Sequence, residues 1–286
     1  MAYNTGSDPT LAELITAKFI PEMYSKDVFM ATRSNLVALS AFNTSFRKQL
    51  TKGSKVWIPV MTEGSTTEVT PGTESVASDL LSTAVSITID NWRYAASEVS
   101  KLIQIEDIAD YLNKSAEQNG VDLQKYIDTS VGVLYSTLAS SSVYGQDGQT
   151  FTDEIFRALV EGLDELDIPD ENRVLIGDSS TKRDMLDIEK FISNNYKSGE
   201  PVVTGKIGEL YGCKVLKSNN LTAATTGNYG VYAHRDAIGI VIQSEPSVNV
   251  YNLGWKFIEA RIVADAAWGA DVIRPTFGKA FYTRKS

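Results

Sequence analysis

Residues 105–144 read IEDIADYLNKSAEQNGVDLQKYIDTSVGVLYSTLASSSVY. Apolar or small residues fall at Ile105, Ile108, Ala109, Leu112, Ala116, Gly120, Leu123, Ile127, Val131, Leu134 and Leu138. The spacing alternates three and four, which is the period of an amphipathic helix. Asp110, Lys114, Glu117, Lys125 and Asp128 take the intervening positions, predicting a wet face opposite a buried one. At about 1.5 Å per residue, a helix over the whole stretch reaches roughly 60 Å, the length of a spine. Asn119-Gly120 offers the alternative of a break between two helices, since Asn-Gly is a turn pair. The unchanged phase favours continuity, with Gly120 as a candidate helix bend whose small size lets a neighbouring element approach.

The chain has 286 residues, 43% hydrophobic and 22% charged, enough for one or two cores of ordinary soluble composition. No run of about 18 apolar residues exists, and the start MAYNTGSDPT has neither the basic nor the apolar region of a signal peptide. No membrane partner is expected, and a cytosol-like compartment is. The single cysteine, Cys213, excludes an internal disulfide framework and a Cys-rich zinc site. A net charge of -9 argues against a dedicated nucleic-acid binder.

That charge is segregated. From Val28 to Thr62 there is no acid, while Arg33, Arg47, Lys48, Lys52 and Lys55 are basic. From Glu63 to Asp90 the sign reverses, with Glu63, Glu68, Glu74 and Asp79 before Asp90 and no base. Such blocks suit solvated faces, and equally a surface that docks onto copies of itself. Arg47, Lys48, Lys52, Lys55, Glu63, Glu68, Glu74 and Asp79 are therefore the candidate inter-subunit contacts.

Outward from the spine, residues 1–45 read as an extended arm, loose at its start and holding an apolar run around Val37 that something else in the fold, or another subunit, must cover. Residues 46–90 read as a long hairpin tongue. Lys55-Val-Trp-Ile-Pro-Val60 is one strand, demoted to an edge by Pro59, and Ala84 to Asp90 is its partner, with Val85, Ile87 and Ile89 alternating. The polar stretch between them is too long for a compact hairpin loop, and a protruding tongue needs something to lie on. Residues 91–148 hold further strand and the spine, and residues 149–254 an inserted α/β unit. In that unit Thr152 caps a helix with the stripe Ile155, Phe156, Leu159, Val160, Leu163 and Leu166. Arg173 to Gly177 follows as a buried strand, Ser179 to Asp187 as a second helix, and later strand runs include Ile238 to Gln243. Between Asp153 and Glu189 acids outnumber bases twelve to four. Residues 255–286 return as strands at Trp255 to Ala264, Ala266 to Ile273 and Lys279 to Tyr282, expected in one antiparallel sheet with Ser97 to Gln104. The expected fold class is α+β.

Catalytic constellations are not visible. The only histidine, His234, ends a strand-like run and reads as structural. Glu161, Asp164 and Glu165 lie opposite their helix's apolar stripe and read as a solvated face. Gly205-Lys-Ile-Gly208 lacks the Ser or Thr of a phosphate loop. No cofactor, metal site or catalytic residue is indicated. Asn43, Asn113 and Asn220 begin Asn-x-Ser/Thr triplets that count only on a secretory route.

The order of parts, arm, tongue, spine, inserted α/β unit and returning strands, resembles the major capsid proteins of tailed phages, the Hong Kong 97 fold. Phe19-Ile-Pro-Glu-Met-Tyr24, Lys52-Gly-Ser-Lys-Val-Trp-Ile-Pro59 and Thr88-Ile-Asp90 are similar to that family's arm and tongue. Leu163-Asp164, Ile168-Pro169 and Arg173-Val-Leu-Ile176 resemble the start of its axial domain. Gly199-Glu-Pro201, Gly205 to Gly208, Gly212-Cys-Lys-Val215 and Ser218-Asn219 resemble its later part.

The resemblance implies an N-terminal arm, an extended loop (the E-loop), a peripheral domain around the spine helix and an inserted axial domain. It implies a non-enzymatic protein that self-assembles into hexamers and pentamers of an icosahedral head enclosing double-stranded DNA. Its implied partners are copies of itself, a separate scaffolding protein, a portal, decoration proteins and DNA held by weak non-specific contact. It also implies assembly in the host cytoplasm and residence in the virion. A bacterial encapsulin-like compartment built on the same fold is the alternative, and a hydrolase on the α/β unit a remote one. Lys48, Lys52 and Lys55 lie at the tongue's base, so the lysine to asparagine cross-linking of one branch of the family is not expected.

Overall fold

The computed structural model describes residues 37–48, 53–61, 68, 82–100, 111–139, 143–188, 209–252 and 259–284. In chain order these form α1 (Ala38–Ala41), a 3-10 turn (Ser45–Lys48), β1 (Lys55–Met61), β2 (Ser82–Thr88) and β3 (Asn91–Ser100). Helix α2 (Tyr111–Val133) follows, continued by a 3-10 helix (Leu134–Ala139), then α3 (Asp153–Asp164), β4 (Arg173–Gly177) and α4 (Ser179–Leu186). The rest is β5 (Glu209–Leu210), β6 (Cys213–Lys217), β7 (Gly227–His234), β8 (Ile238–Asn252), β9 (Glu259–Val272) and β10 (Gly278–Arg284).

The spine is continuous through Gly120, but shorter than its period suggested at the C-terminal end. Its described α-helical part has 23 residues, about 35 Å. Beyond Val133 it tightens to 3-10 geometry, where the Ser136 and Thr137 hydroxyls donate to the carbonyls of Val133 and Leu134, three residues back. Tyr144, expected at the helix end, instead bridges to Phe281: its N–H donates to Ala280 and its carbonyl accepts from Tyr282. Leu123, Ile127, Val131, Tyr135 and Leu138 form the buried stripe. The apolar run of the arm is covered by the fold itself, since Val37, Ala38, Ala41 and Phe42 are buried in the same core as that stripe.

The strands form three sheets. β1 and β2 make an antiparallel hairpin in the expected pairing, from Lys55 opposite Thr88 to Met61 opposite Ser82. Pro59 is tolerated because a two-stranded sheet has only edges. The tongue's distal part, residues 62–81, lies outside the described residues apart from Glu68. The second sheet has the order β3-β9-β8, all antiparallel, and the third the order β10-β7-β4-β6-β5.

Two strands sit elsewhere than the sequence reading put them. β8, expected in the α/β unit, pairs with β9 beside the spine. β10, expected beside the spine, pairs with β7 and closes the α/β sheet. The runs on either side of Asp265 are one strand, β9, and not two. Alternation fixes which face of a strand is apolar but not which strand it meets.

The α/β unit otherwise folds as its signals require. The Thr152 side chain accepts from the Ile155 amide, with Asp153 and Glu154 in the favourable first turn of α3. Ile155, Phe156, Leu159 and Leu163 are buried, whereas Leu166, expected on that stripe, lies past the helix end and is exposed. All five residues of β4 are buried. Val174 and Ile176 pack into the core shared with the spine, and Leu175 into a second core with Phe156 and Leu159 of α3.

Candidate assembly surface

The sheet beside the spine is covered by the spine on one face, and on the other only where the hairpin base packs against Val241 and Gly269. Ile262, Ala264, Ala266 and Trp268 of β9 are buried in the spine core. The alternate β9 residues therefore face away, and opposite them in register stand Trp92 with Ala267, Tyr94 with Asp265 and Glu98 with Arg261. Trp92 is 79% and Tyr94 74% exposed. Tyr251 of β8, also opposite Arg261, adds a third exposed ring to this face. Nothing among the described residues lies over them. A shallow cleft of about 340 Å³ at the head of β3 is lined by Asp90, Asn91, Trp92, Arg93 and Tyr94.

The hairpin is two-faced in the same way. Val56 and Ile87 are buried and, with Val241 and Ile273, form a small core that Phe46, Ile58, Val60 and Ile89 flank. Its outer face carries Lys55, Trp57, Pro59 and Met61, all exposed, with Trp57 at 64% and Met61 at 74%. Exposed aromatics on a sheet face and an exposed apolar hairpin face are the surfaces by which chains associate.

Of the candidate contacts read from the sequence, Lys55 is exposed on this outer face, next in line to Trp57. Arg47 and Lys48 end the 3-10 turn before the hairpin, and Glu68 is exposed. Lys52, Glu63, Glu74 and Asp79 lie outside the described residues. Gly120 lies within α2, but its neighbourhood differs from expectation, because a side-chain carbon added there meets nothing within 4 Å. The close approach belongs to Gly132, where an added carbon would stand 2.9 Å from the Asn220 carbonyl oxygen.

One turn before Gly132 lies a residue that the helical pattern misplaced. Asp128, expected on the wet face, is buried. Its Oδ1 accepts from the amides of Val37 at 3.0 Å and Ala38 at 2.7 Å. Its Oδ2 accepts from Asn220 Nδ2 at 2.8 Å and Ser218 Oγ at 3.2 Å. Four donors thus compensate a buried carboxylate and join the arm's end, the spine and the loop after β6. Asp next to the apolar stripe, with Gly one turn on, was the available signal.

The α/β unit has a similar carboxylate. Asp178 caps α4 through the Thr181 amide and accepts from Ser180, Thr181 and Thr283 hydroxyls and from Asn228 Nδ2. Burial pushes this carboxyl up, but the hydrogen bonds outweigh burial and hold it below the usual range. Asp184 accepts from the Phe151 amide and pairs with Arg284. The buried Arg173 bonds Asp164, Asp170 and the carbonyls of Ile168 and Pro169, fixing the acidic turn after α3.

His234 ends β7, as expected. Its Nδ1 accepts from the Asp236 amide at 3.2 Å, which requires the unprotonated ring, and burial lowers its pKa. Glu161, Asp164 and Glu165 are exposed. Burial pushes the Cys213 thiol up to about 12, making it an unreactive core residue. Among the described residues no group of three His, Cys, Asp or Glu side chains is placed to hold a metal ion. No described helix is long and apolar enough to cross a membrane.

No family model matches the chain, and no curated protein matches it in sequence. Solved structures match it closely in three dimensions. A capsid structure of the cyanophage P-SCSP1u superposes with a TM-score of 0.78 at 17% identity, covering 100% of this chain and 97% of that one. A structure from Mycobacterium phage Che8 gives 0.76 at 20% identity, covering 92% and 97%. A subunit of the mature capsid of bacteriophage PhiM1 gives 0.69 at 15% identity, covering 92% and 91%. The mixed helix and sheet architecture of this chain is therefore a phage capsid fold over nearly its whole length.

Proposed function

We propose that this chain is the major capsid protein of a tailed phage, assembling into hexamers and pentamers of an icosahedral head around double-stranded DNA. The observation that carries the reading is the near-complete overlay on capsid subunits. Almost nothing is left over on either chain, with 100% and 97% covered in one pairing and 92% and 91% in another. The two uncovered faces fit a subunit whose neighbours complete it. Its work is association and not catalysis, and its place is the virion.

In this reading residues 1–45 are the arm, 46–90 the extended loop, the spine with β3, β8 and β9 the peripheral domain, and the α/β sheet with α3, α4 and β10 the axial domain. The hairpin is the base of a tongue that lies on a neighbouring subunit. Arg47, Lys48, Lys52 and Lys55 meet acids of another copy, with Glu63, Glu68, Glu74 and Asp79 as the opposing set. A scaffolding protein, a portal and decoration proteins are the heterologous partners, and DNA is held by weak contacts. Gly120 is where the spine bends between an immature and a mature shell.

The test is particle size by light scattering and electron microscopy, on the protein alone and co-expressed with its neighbouring scaffold gene. Rings or closed shells are expected. A persistent monomer at high concentration in both conditions overturns the proposal, and shells that take up an enzyme instead of DNA point to a compartment protein.

A further inference from the structure

We infer that Gly269 and Gly239 form a mount that fixes the direction in which the β1–β2 hairpin leaves the subunit, and so act as positioning residues for assembly. The inference rests on the proposed contact between the hairpin and a neighbouring copy.

At the hairpin's base, the Ile89 amide donates to the Ser54 carbonyl at 2.9 Å, and Gln243 Nε2 donates to the Gly53 carbonyl at 3.2 Å. The end of β2 then crosses directly over β9. A side-chain carbon added at Gly269 would stand 2.1 Å from the Thr88 carbonyl oxygen and 2.8 Å from its carbon. These are backbone atoms and cannot rotate away. At Gly239 of β8, an added carbon would meet Ile273 Cδ1 at 2.5 Å and Ile87 Cδ1 at 2.7 Å, the movable ends of two side chains. Glycine here is needed for a backbone crossing and not for a turn. From Lys55 the described strand runs on to Met61, about 20 Å at the strand rise, so the mount is the short arm of a lever. A displacement of Thr88 by one added carbon is magnified where the hairpin would meet its neighbour.

The experiment uses the full chain, spin-labelled through Met61→Cys and Tyr251→Cys, both exposed, with Cys213 buried and protected from labelling. The 61–251 distance is measured in unassembled labelled subunits, and assembly is scored by sedimentation on unlabelled chains that keep Met61 and Tyr251. Gly269→Ala is expected to shift that distance and cut assembled yield at least tenfold while the subunit stays folded. Gly239→Ala is expected to shift it less, and adding Ile273→Val, which removes the offending methyl, to restore it. If Gly269→Ala does not fold, the Gly239 pair decides. An unmoved distance overturns the mount, as does normal assembly with a moved distance. A hairpin shortened by joining Met61 to Ser82 through Asn-Gly is the separate control. If it assembles normally, the hairpin contact is overturned, and the distance alone then judges the mount.

Discussion

β4 and β3 both run beside a helix, yet β4 is buried along its whole length while Trp92 and Tyr94 of β3 stand in solvent. The α/β sheet has a core on each face, one shared with the spine and one with α3. The β3-β9-β8 sheet has the spine core on one face, and on the other only the small core under the hairpin, which leaves Trp92, Tyr94 and Tyr251 exposed. The first region is finished within one chain. The second exposes bulky apolar side chains of the kind that mark an interaction surface. In the proposed shell, stability and association are carried by different residues, which makes them separable by mutation.

The largest expected effect is on the closed side. Phe156→Ala empties a fully buried site between α3 and β7 and should cost about 3–5 kcal/mol in urea unfolding. Next, Asp178→Asn weakens charge-assisted bonds to five donor groups and should cost about 1.5–3 kcal/mol at pH 7. The sign with pH follows from the lowered folded pKa. The stability that Asp178 supplies is present above the unfolded value of about 3.9 and is lost as pH falls through the folded one. Wild type and variant should therefore converge in strong acid, which melting curves across pH 2–7 measure (about the carboxylate range).

Gly120→Ala moves the other way. Open space surrounds the site within a continuous helix, so about 1 kcal/mol of stabilisation is expected in thermal unfolding, whereas Gly132→Ala should destabilise against the Asn220 carbonyl. If Gly120 is the maturation bend, the stabilised variant should assemble but expand more slowly, seen by time-resolved scattering. The smallest stability effect is on the open side. Trp92→Ser should change monomer stability by less than about 0.5 kcal/mol yet reduce assembled yield several-fold. A large loss of monomer stability from Trp92→Ser would erase the distinction between the two regions.

Local structure was legible wherever one segment contains its own signal. The Thr152 cap, the hairpin strands and the stripe of α2 are each set by residues within a turn or two. Partner choice was not legible, because a strand's apolar residues fix which faces it buries and not which strand it pairs with. Asp128 was misplaced for a related reason. Its helix position borders the stripe, and whether a border position is wet depends on the loop at 218–220, ninety residues away. Sign blocks along a chain carry no distance information, so which charges meet which is not legible from them.

The placement of β10 has a consequence for synthesis. The edge of the α/β sheet waits for residues 278–284, whose last member is tied back by Asp184 and by the Ser180 hydroxyl bond to the Arg284 carbonyl. A nascent chain that has already emitted α3, β4 and β7 still lacks the strand that covers them. An unfinished polypeptide cannot present a completed α/β unit, so in the proposed shell a subunit is recruited only after β10 has been synthesised.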